Sequence, residues 1–283
     1  MITVKNLSAS YKNSDKEILK NISFNIQKGE IFGFLGPSGA GKSTTQRVIT
    51  RILADYSGEV SVLGKDIRKW NIDFYNHIGV GFELPNHYMK LTALENLNYF
   101  LQFYSKRLAK PEELLEWVGL HEFRDKKTEE FSKGMKMRLN FIRALMHDPE
   151  VLFFDEPTTG LDPVNGQSIK KIIKEQKVAG KTIFLTTHNM HEAEELCDRV
   201  AFIVEGEIKL IDSPKKLKRE FGHRLVKIET SNDHTNKFEF PLEDLGNNSD
   251  FLDILKKQEV LSMHTDEASL DEIFIKVTGK SLV

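Results

Sequence analysis

Gly36-Pro37-Ser38-Gly39-Ala40-Gly41-Lys42-Ser43-Thr44 decides the reading of this chain. The short apolar run Ile31-Phe32-Gly33-Phe34-Leu35 precedes it, and a helix-like segment, Thr44 to Leu53, follows. A strand that feeds a glycine-rich loop opening a helix turns several backbone N–H groups toward one point. The positive end of the helix dipole faces the same way. Glycine lets the backbone wrap a phosphate with no Cβ in between. Lys42 then supplies a point charge for the β- and γ-phosphates, and the Ser43 hydroxyl is a ligand for Mg²⁺.

Outward from this loop, the N-terminal flank alternates apolar and polar residues over Ile2–Leu7 and again over Ile22–Ile26, as half-buried strands do. Ser57–Gly64 reads as turn, strand and turn. Downstream, Leu91–Gly119 changes to a helical pattern. Thr92-Ala93-Leu94-Glu95 has the form of a capping box, and Pro111 opens a second helix toward Val118. A third helix runs from Phe131 to His147, with Ser132 at its start and Asp148-Pro149 as its stop. The aromatic run Tyr99–Tyr104 reads as core, with a partner-docking surface as the alternative.

Two continuous apolar strands follow, and each ends in chemistry. Val151–Phe154 ends in Asp155-Glu156, and Thr182–Leu185 ends in Thr186-Thr187-His188. Asp162-Pro163 starts a helix between them. Strand, helix and strand in this order imply a parallel sheet with right-handed crossovers. Ligands of such sheets gather at the carboxyl ends of the strands. There Asp155 can hold Mg²⁺ opposite Ser43, Glu156 can accept a proton from water, and His188 can orient that water or donate to a phosphate.

Composition narrows the classes. The chain has 283 residues and a formal net charge of −2, so no basic field argues for nucleic acid. A single cysteine, Cys197, excludes an internal disulfide. The N-terminus lacks the apolar core of a signal peptide, and no run approaches the length that spans a bilayer. A membrane role would need the membrane part from another chain.

Over about residues 2–212 these motifs resemble the ATP-binding cassette (ABC) ATPases. Gly36–Ser43 looks like the Walker A motif, and Val151–Glu156 like Walker B with its glutamate. Phe131-Ser132-Lys133-Gly134-Met135 resembles the signature motif; Ser132 and Gly134 match, whereas Lys133 and Met135 depart from its common form. Thr159–Asp162 looks like the D-loop, His188 like the switch histidine, and Tyr11 like the aromatic residue that stacks on adenine. Phe82-Glu83-Leu84-Pro85 stands in the place of the Q-loop, with Glu83 where glutamine is usual.

The resemblance implies an α/β fold: a P-loop NTPase core with an antiparallel β subdomain and a helical subdomain. The ATPase domain is expected over 1–214, its helical subdomain over about 84–147, and a small α+β extension over 215–283. The implied nucleotide contacts are Tyr11, Gly36, Pro37, Ser38, Gly39, Ala40, Gly41, Lys42, Ser43, Thr44, Ser132, Gly134 and Asp162. Glu156 and His188 are the implied catalytic groups, and Ser43, Asp155 and Glu83 the implied metal ligands. The cofactors are ATP and Mg²⁺. Ser132 and its helix complete the site of the opposite subunit in a homodimer, or in a heterodimer with a related ATPase. The segment Ser269–Gly279 is similar to the extension of drug, antibiotic and lipid-type exporter ATPases. The implied function is therefore to power export through a separate membrane-spanning permease, from the cytoplasmic face of the cell membrane. An importer ATPase, or an ATPase acting on nucleic acid or ribosomes, is the alternative. The latter expects tandem cassettes or long coiled coils, and this chain has neither.

Overall fold

The computed structural model of the chain describes residues 1–10, 17–222, 224–231 and 235–280. Packing divides the chain into two units, the first ending at Ile211 and the second beginning at Asp212. The boundary expected from the sequence was 214.

In the first unit the elements run β1 (Ile2–Ser10), β2 (Glu17–Ile26), β3 (Ile31–Leu35), α1 (Lys42–Ile49), β4 (Ser57–Val62), β5 (Lys65–Asp66), α2 (Phe74–His77) and β6 (Ile78–Gly81). Next come α3 (Ala93–Leu101), α4 (Pro111–Trp117), α5 (Lys133–Leu145), β7 (Val151–Asp155), α6 (Pro163–Val178), β8 (Thr182–Thr187), α7 (Met190–Leu196), β9 (Arg199–Val204) and β10 (Glu207–Asp212). β10 runs across the division between the units.

Two sheets form the core of this unit. A four-stranded sheet has the order β2-β1-β4-β5, and a six-stranded sheet has the order β10-β9-β3-β8-β7-β6. In the first, β1 pairs antiparallel with both β2 and β4. In the second, β9, β3, β8, β7 and β6 are parallel. β3, β7 and β8 are buried along their whole length, which is why they read as unbroken apolar runs. Phenylalanines join the sheets. Phe24 of β2 stacks on Phe32 of β3 with centroids 5.5 Å apart. Phe184 of β8 lies 5.4 Å from Phe34 and 5.9 Å from Phe153.

The helical region follows its sequence signals, with edges moved. The capping box before α3 forms on both arms: Glu95 N–H donates to Thr92 Oγ1 at 3.1 Å and Thr92 N–H to Glu95 Oε2 at 2.8 Å. α5 is shorter than the span expected from Phe131 to His147, because Ser132 is its cap and not part of it. α1 begins earlier than the expected Thr44 and stops at Ile49, where Thr50 and the left-handed Arg51 end it short of Leu53. The aromatic run splits: Leu101 is buried, but Tyr99 and Phe103 are exposed. The rings of Tyr88, Phe100 and Phe103 meet Tyr99 in T-shaped pairs with centroids 4.8–5.7 Å apart. Reading the run as core is thus corrected for those two rings. The cause is that α3 buries only the stripe Ala93, Asn96, Leu97 and Leu101, while Tyr99 lies off that stripe and Phe103 follows the end of the helix.

The second unit holds α8 (Pro214–Phe221), β11 (Arg224–Ser231), β12 (Thr235–Pro241), α9 (Ser249–Lys257), β13 (Glu259–Glu267) and α10 (Leu270–Thr278). Its antiparallel sheet has the order β12-β11-β13. Val226 and Ile228 of β11 pack with Phe251 and Ile254 of α9 into a small core. Ser269 and Glu272 form a capping box at α10, and Gly279 closes it in the left-handed conformation. Among the described residues no helix is long and apolar enough to cross a membrane.

Phe184 touches the aromatic rings of both sheets, so truncating it removes packing that neither sheet can replace. Phe184→Ala should lower the unfolding free energy by about 3–5 kcal/mol, measured by urea denaturation of the wild type and the variant. A loss below about 1 kcal/mol would show that the sheets do not share one core.

Candidate nucleotide site

Register in the parallel sheet assembles the site. Leu35 at the end of β3 stands beside Thr187 at the end of β8. Asp155 at the end of β7 stands beside Thr186, and Gly81 at the end of β6 beside Phe154. The loop of residues 36–41, Asp155-Glu156, His188 and the Phe82-Glu83 turn therefore leave the sheet from the same edge.

The loop needs glycine at two points for steric reasons. A Cβ at Gly36 would sit 2.1 Å from the carbonyl oxygen of Ile203, so β9 leaves no room for one. Gly41 caps α1 with φ +110°, a left-handed value that L side chains rarely adopt. Lys42 folds back over the loop. Its ammonium donates to the carbonyl of Gly36 at 2.6 Å and to that of Pro37 at 3.2 Å. Burial lowers the Lys42 pKa, and the Glu156, Asp155 and Glu83 carboxylates oppose that shift. A charge held in this way is poised for an anion.

The space in front of the loop is a cavity of about 760 Å³, within the range of pockets that hold a nucleotide-sized ligand. Ser38, Gly39, Gly41, Lys42, Ser43 and Thr44 line one side, and Glu83, Asp155, Glu156 and His188 line another. Glu17, Ile18, Lys20 and Glu205 complete the lining. Gly36, Pro37 and Ala40 do not line it. Gly36 and Pro37 serve it through the carbonyls that hold Lys42, and Ala40 is buried. Tyr11 lies outside the described residues.

The acidic end is tightly held. Thr186 Oγ1 donates to Asp155 Oδ1. Glu156 turns out of β7 with φ +51°, and its N–H donates to the Thr186 carbonyl at 3.0 Å. A non-glycine residue in that region stores backbone strain. Thr159 Oγ1 donates to Glu156 Oε2 at 3.1 Å, and His188 Nδ1 lies 2.8 Å from Glu156 Oε1. Glu156 is buried while His188 is half exposed. A buried carboxylate beside a ring that reaches solvent can take a proton from water and pass it outward.

Ser132, Gly134 and Asp162 form a second group that does not line this cavity. Ser132 Oγ accepts from Met135 N–H at 3.2 Å and caps α5. Asp162 Oδ1 accepts from Val164 and Asn165 N–H, both at 3.1 Å, and caps α6. The Asn165 side-chain amide, which also donates to Asp162, holds that carboxyl below the usual range. A Cβ at Gly134 would lie 3.5 Å from Leu161 Cδ2, so the start of α5 sits beside the Asp162 turn.

Sequence reasoning did not reach Thr158 or Glu192 and gave Thr186 and Thr187 no role of their own, although these four hold the acidic end from behind. No motif marks them. Cys197 is buried against Gly33, and burial raises its thiol pKa, as for a packed residue.

The comparisons with known proteins agree with this geometry. Residues 19–159 match the family described as ABC transporter, and residues 224–267 match the fluoroquinolone efflux ABC transporter C-terminal domain. A fluoroquinolones export ATP-binding protein of Mycobacterium tuberculosis is 46% identical over 100% of this chain and 94% of its own length. The linearmycin resistance ATP-binding protein of Bacillus subtilis is 34% identical over 100% of this chain and 99% of its own. Among solved structures, the dimeric ATP-binding cassette MJ0796 in a post-hydrolysis state bound to ADP and Pi superposes with a TM-score of 0.69. It shares 29% identity over 75% of this chain and 98% of that one.

Removing the Lys42 charge should leave the fold intact but empty the cavity of its anion site. Lys42→Ala should weaken binding of a fluorescent ATP analogue by at least about tenfold, read by titration at constant salt. Unchanged affinity would place the phosphates elsewhere. With the loop, the acidic strand ends and these relatives in agreement, the chain is a member of the ABC transporter ATPase family.

Proposed function

We propose that this chain hydrolyses ATP to drive export of a drug, antibiotic or lipid-like compound through a separate membrane-spanning partner, at the cytoplasmic face of the membrane. The observation that carries the hydrolytic part is the convergence of Lys42, Ser43, Asp155, Glu156 and His188 on one cavity. The export direction rests on relatives whose names describe export or resistance.

In this reading the triphosphate lies along residues 36–44, with backbone N–H groups and Lys42 taking the charge of its oxygens. Glu156 accepts the proton of the attacking water as the water oxygen bonds to the γ-phosphorus. The bond to the bridging oxygen breaks, and ADP and phosphate leave. His188 holds Glu156 Oε1 and keeps its carboxyl aimed.

The Ser43 hydroxyl and the Asp155 and Glu83 carboxylates line the same cavity and are hard oxygen donors, the set that suits Mg²⁺. Among the described residues no cluster of three or more His, Cys, Asp or Glu could hold a metal alone. A metal here would thus share its shell with phosphate oxygens. Magnesium, when bound, supplies positive charge against those oxygens. Glu83 would contribute a full negative charge where a glutamine would offer a neutral carbonyl.

Ser132, Gly134 and Asp162 lie outside the cavity, yet Ser132 and Asp162 cap helix N-termini that suit an anion. They serve a second copy or a related ATPase, each subunit completing the other's site. Leu84, Tyr88, Met89 and Phe103 are exposed on and near the Glu83 turn and offer an apolar face to the membrane partner.

Glu156→Gln keeps the shape and removes the base. Hydrolysis should fall by about 10²–10⁴-fold while ATP binding persists; a near-normal rate would put the base elsewhere. Glu83→Gln should keep most activity and raise the Mg²⁺ concentration for half-maximal rate by at least about threefold. Superimposable Mg²⁺ titrations would dismiss the metal role of Glu83.

A further inference from the structure

Behind Glu156 and His188 lies a carboxyl group with no role in the steps above. Glu192 on α7 is 3% exposed and does not line the cavity. A carboxyl group so deeply buried must be paired, because burial without partners is costly. Its two oxygens serve two different segments. Oε1 accepts from Thr158 Oγ1 at 2.8 Å, and Oε2 accepts from Thr187 Oγ1 at 3.1 Å. Thr158 belongs to the turn that leads from Glu156 to Asp162. Thr187 ends β8 and directly precedes His188.

The Thr187 hydroxyl is a branch point. It accepts from Asn189 N–H at 3.0 Å and also lies 3.4 Å from Glu156 Oε2. A hydroxyl has one proton, so donating it to Glu192 withholds it from Glu156. Glu156 then keeps Thr159 on one oxygen and His188 on the other. Burial raises the Glu192 pKa; the two threonine hydroxyls oppose that, Glu156 adds to it, and Lys170 of α6 opposes it.

We propose that Glu192 is a positioning residue for ATP hydrolysis. Its buried carboxyl ties the Thr158 turn to the end of β8, and this fixes Glu156 against His188. The inference rests on Glu156 being the base. Both carboxyl oxygens are needed, since each accepts from a different segment. A glutamine has only one acceptor oxygen. If that oxygen stays with Thr158, the amide NH₂ faces Thr187, whose proton then turns to Glu156.

The test compares steady-state kinetics of the full chain with its transport partner. Glu192→Gln should lower kcat about tenfold, with KM for ATP and affinity for a non-hydrolysable ATP analogue unchanged within about twofold. Thr158→Val should lose a similar factor, and Thr158→Ser, which keeps the hydroxyl, should restore kcat to within about twofold of wild type. The double variant Glu192→Gln/Thr158→Val should be no slower than the slower single variant by more than about twofold, because both cut one network. Should Glu192→Gln fail to fold, the Thr158→Val and Thr158→Ser pair decides alone.

Glu156→Gln is measured in parallel. If it keeps a near-normal rate, the assignment of the base fails first. If it loses activity while Glu192→Gln and Thr158→Val retain wild-type kcat, the positioning role is overturned. Losses that appear in KM as much as in kcat, or that multiply in the double variant, overturn it too.

Discussion

The ammonium of Lys42 against the carbonyls of Gly36 and Pro37 is the contact on which the rest depends. A buried cation is costly unless its surroundings are arranged for it. Here three carboxylates, Glu156, Asp155 and Glu83, act on it from the ends of neighbouring strands and the following turn. They reach it because β3 lies next to β8, and β8 next to β7, in one parallel sheet. Loop, charge and acid are thus consequences of strand order. The antiparallel sheet contributes through Phe24, which packs on Phe32 and Phe34 of β3, the strand that carries the loop.

The cavity brings carboxylates, an ammonium and hard oxygen donors together, yet the capped starts of α5 and α6 do not line it. A helix N-terminus that is already satisfied by Ser132 or Asp162 still carries the positive end of its dipole. Such ends are useful to an anion supplied from outside. In the reading proposed above, this division would let a single copy bind ATP and a pair of copies enclose it, which is how nucleotide binding can be converted into opening and closing. A dimeric ATP-binding cassette bound to ADP and Pi shares this fold over 75% of the chain.

Much of this was legible in the residues because local chemistry and tertiary need coincide. The loop Gly36–Ser43, the apolar stretches Val151–Phe154 and Thr182–Leu185, and the capping box at Thr92 each announce themselves by spacing. The remainder was hidden for physical reasons. α1 starts at Lys42 because Gly41 takes a left-handed turn, which composition alone does not reveal. Tyr99 is exposed because α3 buries a narrow stripe, and Phe103 because it lies past the end of that helix, although an aromatic run looks like core. Glu192 and Thr158 meet only after α7 folds behind the strand ends, so no spacing in the chain marks them.

The most direct measurement is a structure of Glu156→Gln with ATP and Mg²⁺. The expected result is a head-to-tail pair of chains. In it the phosphates lie along Gly36–Thr44 of one copy, and Ser132 and Gly134 of the other close over the γ-phosphate. ATP held in a single copy with no contribution from a second, or held away from Lys42, would contradict it.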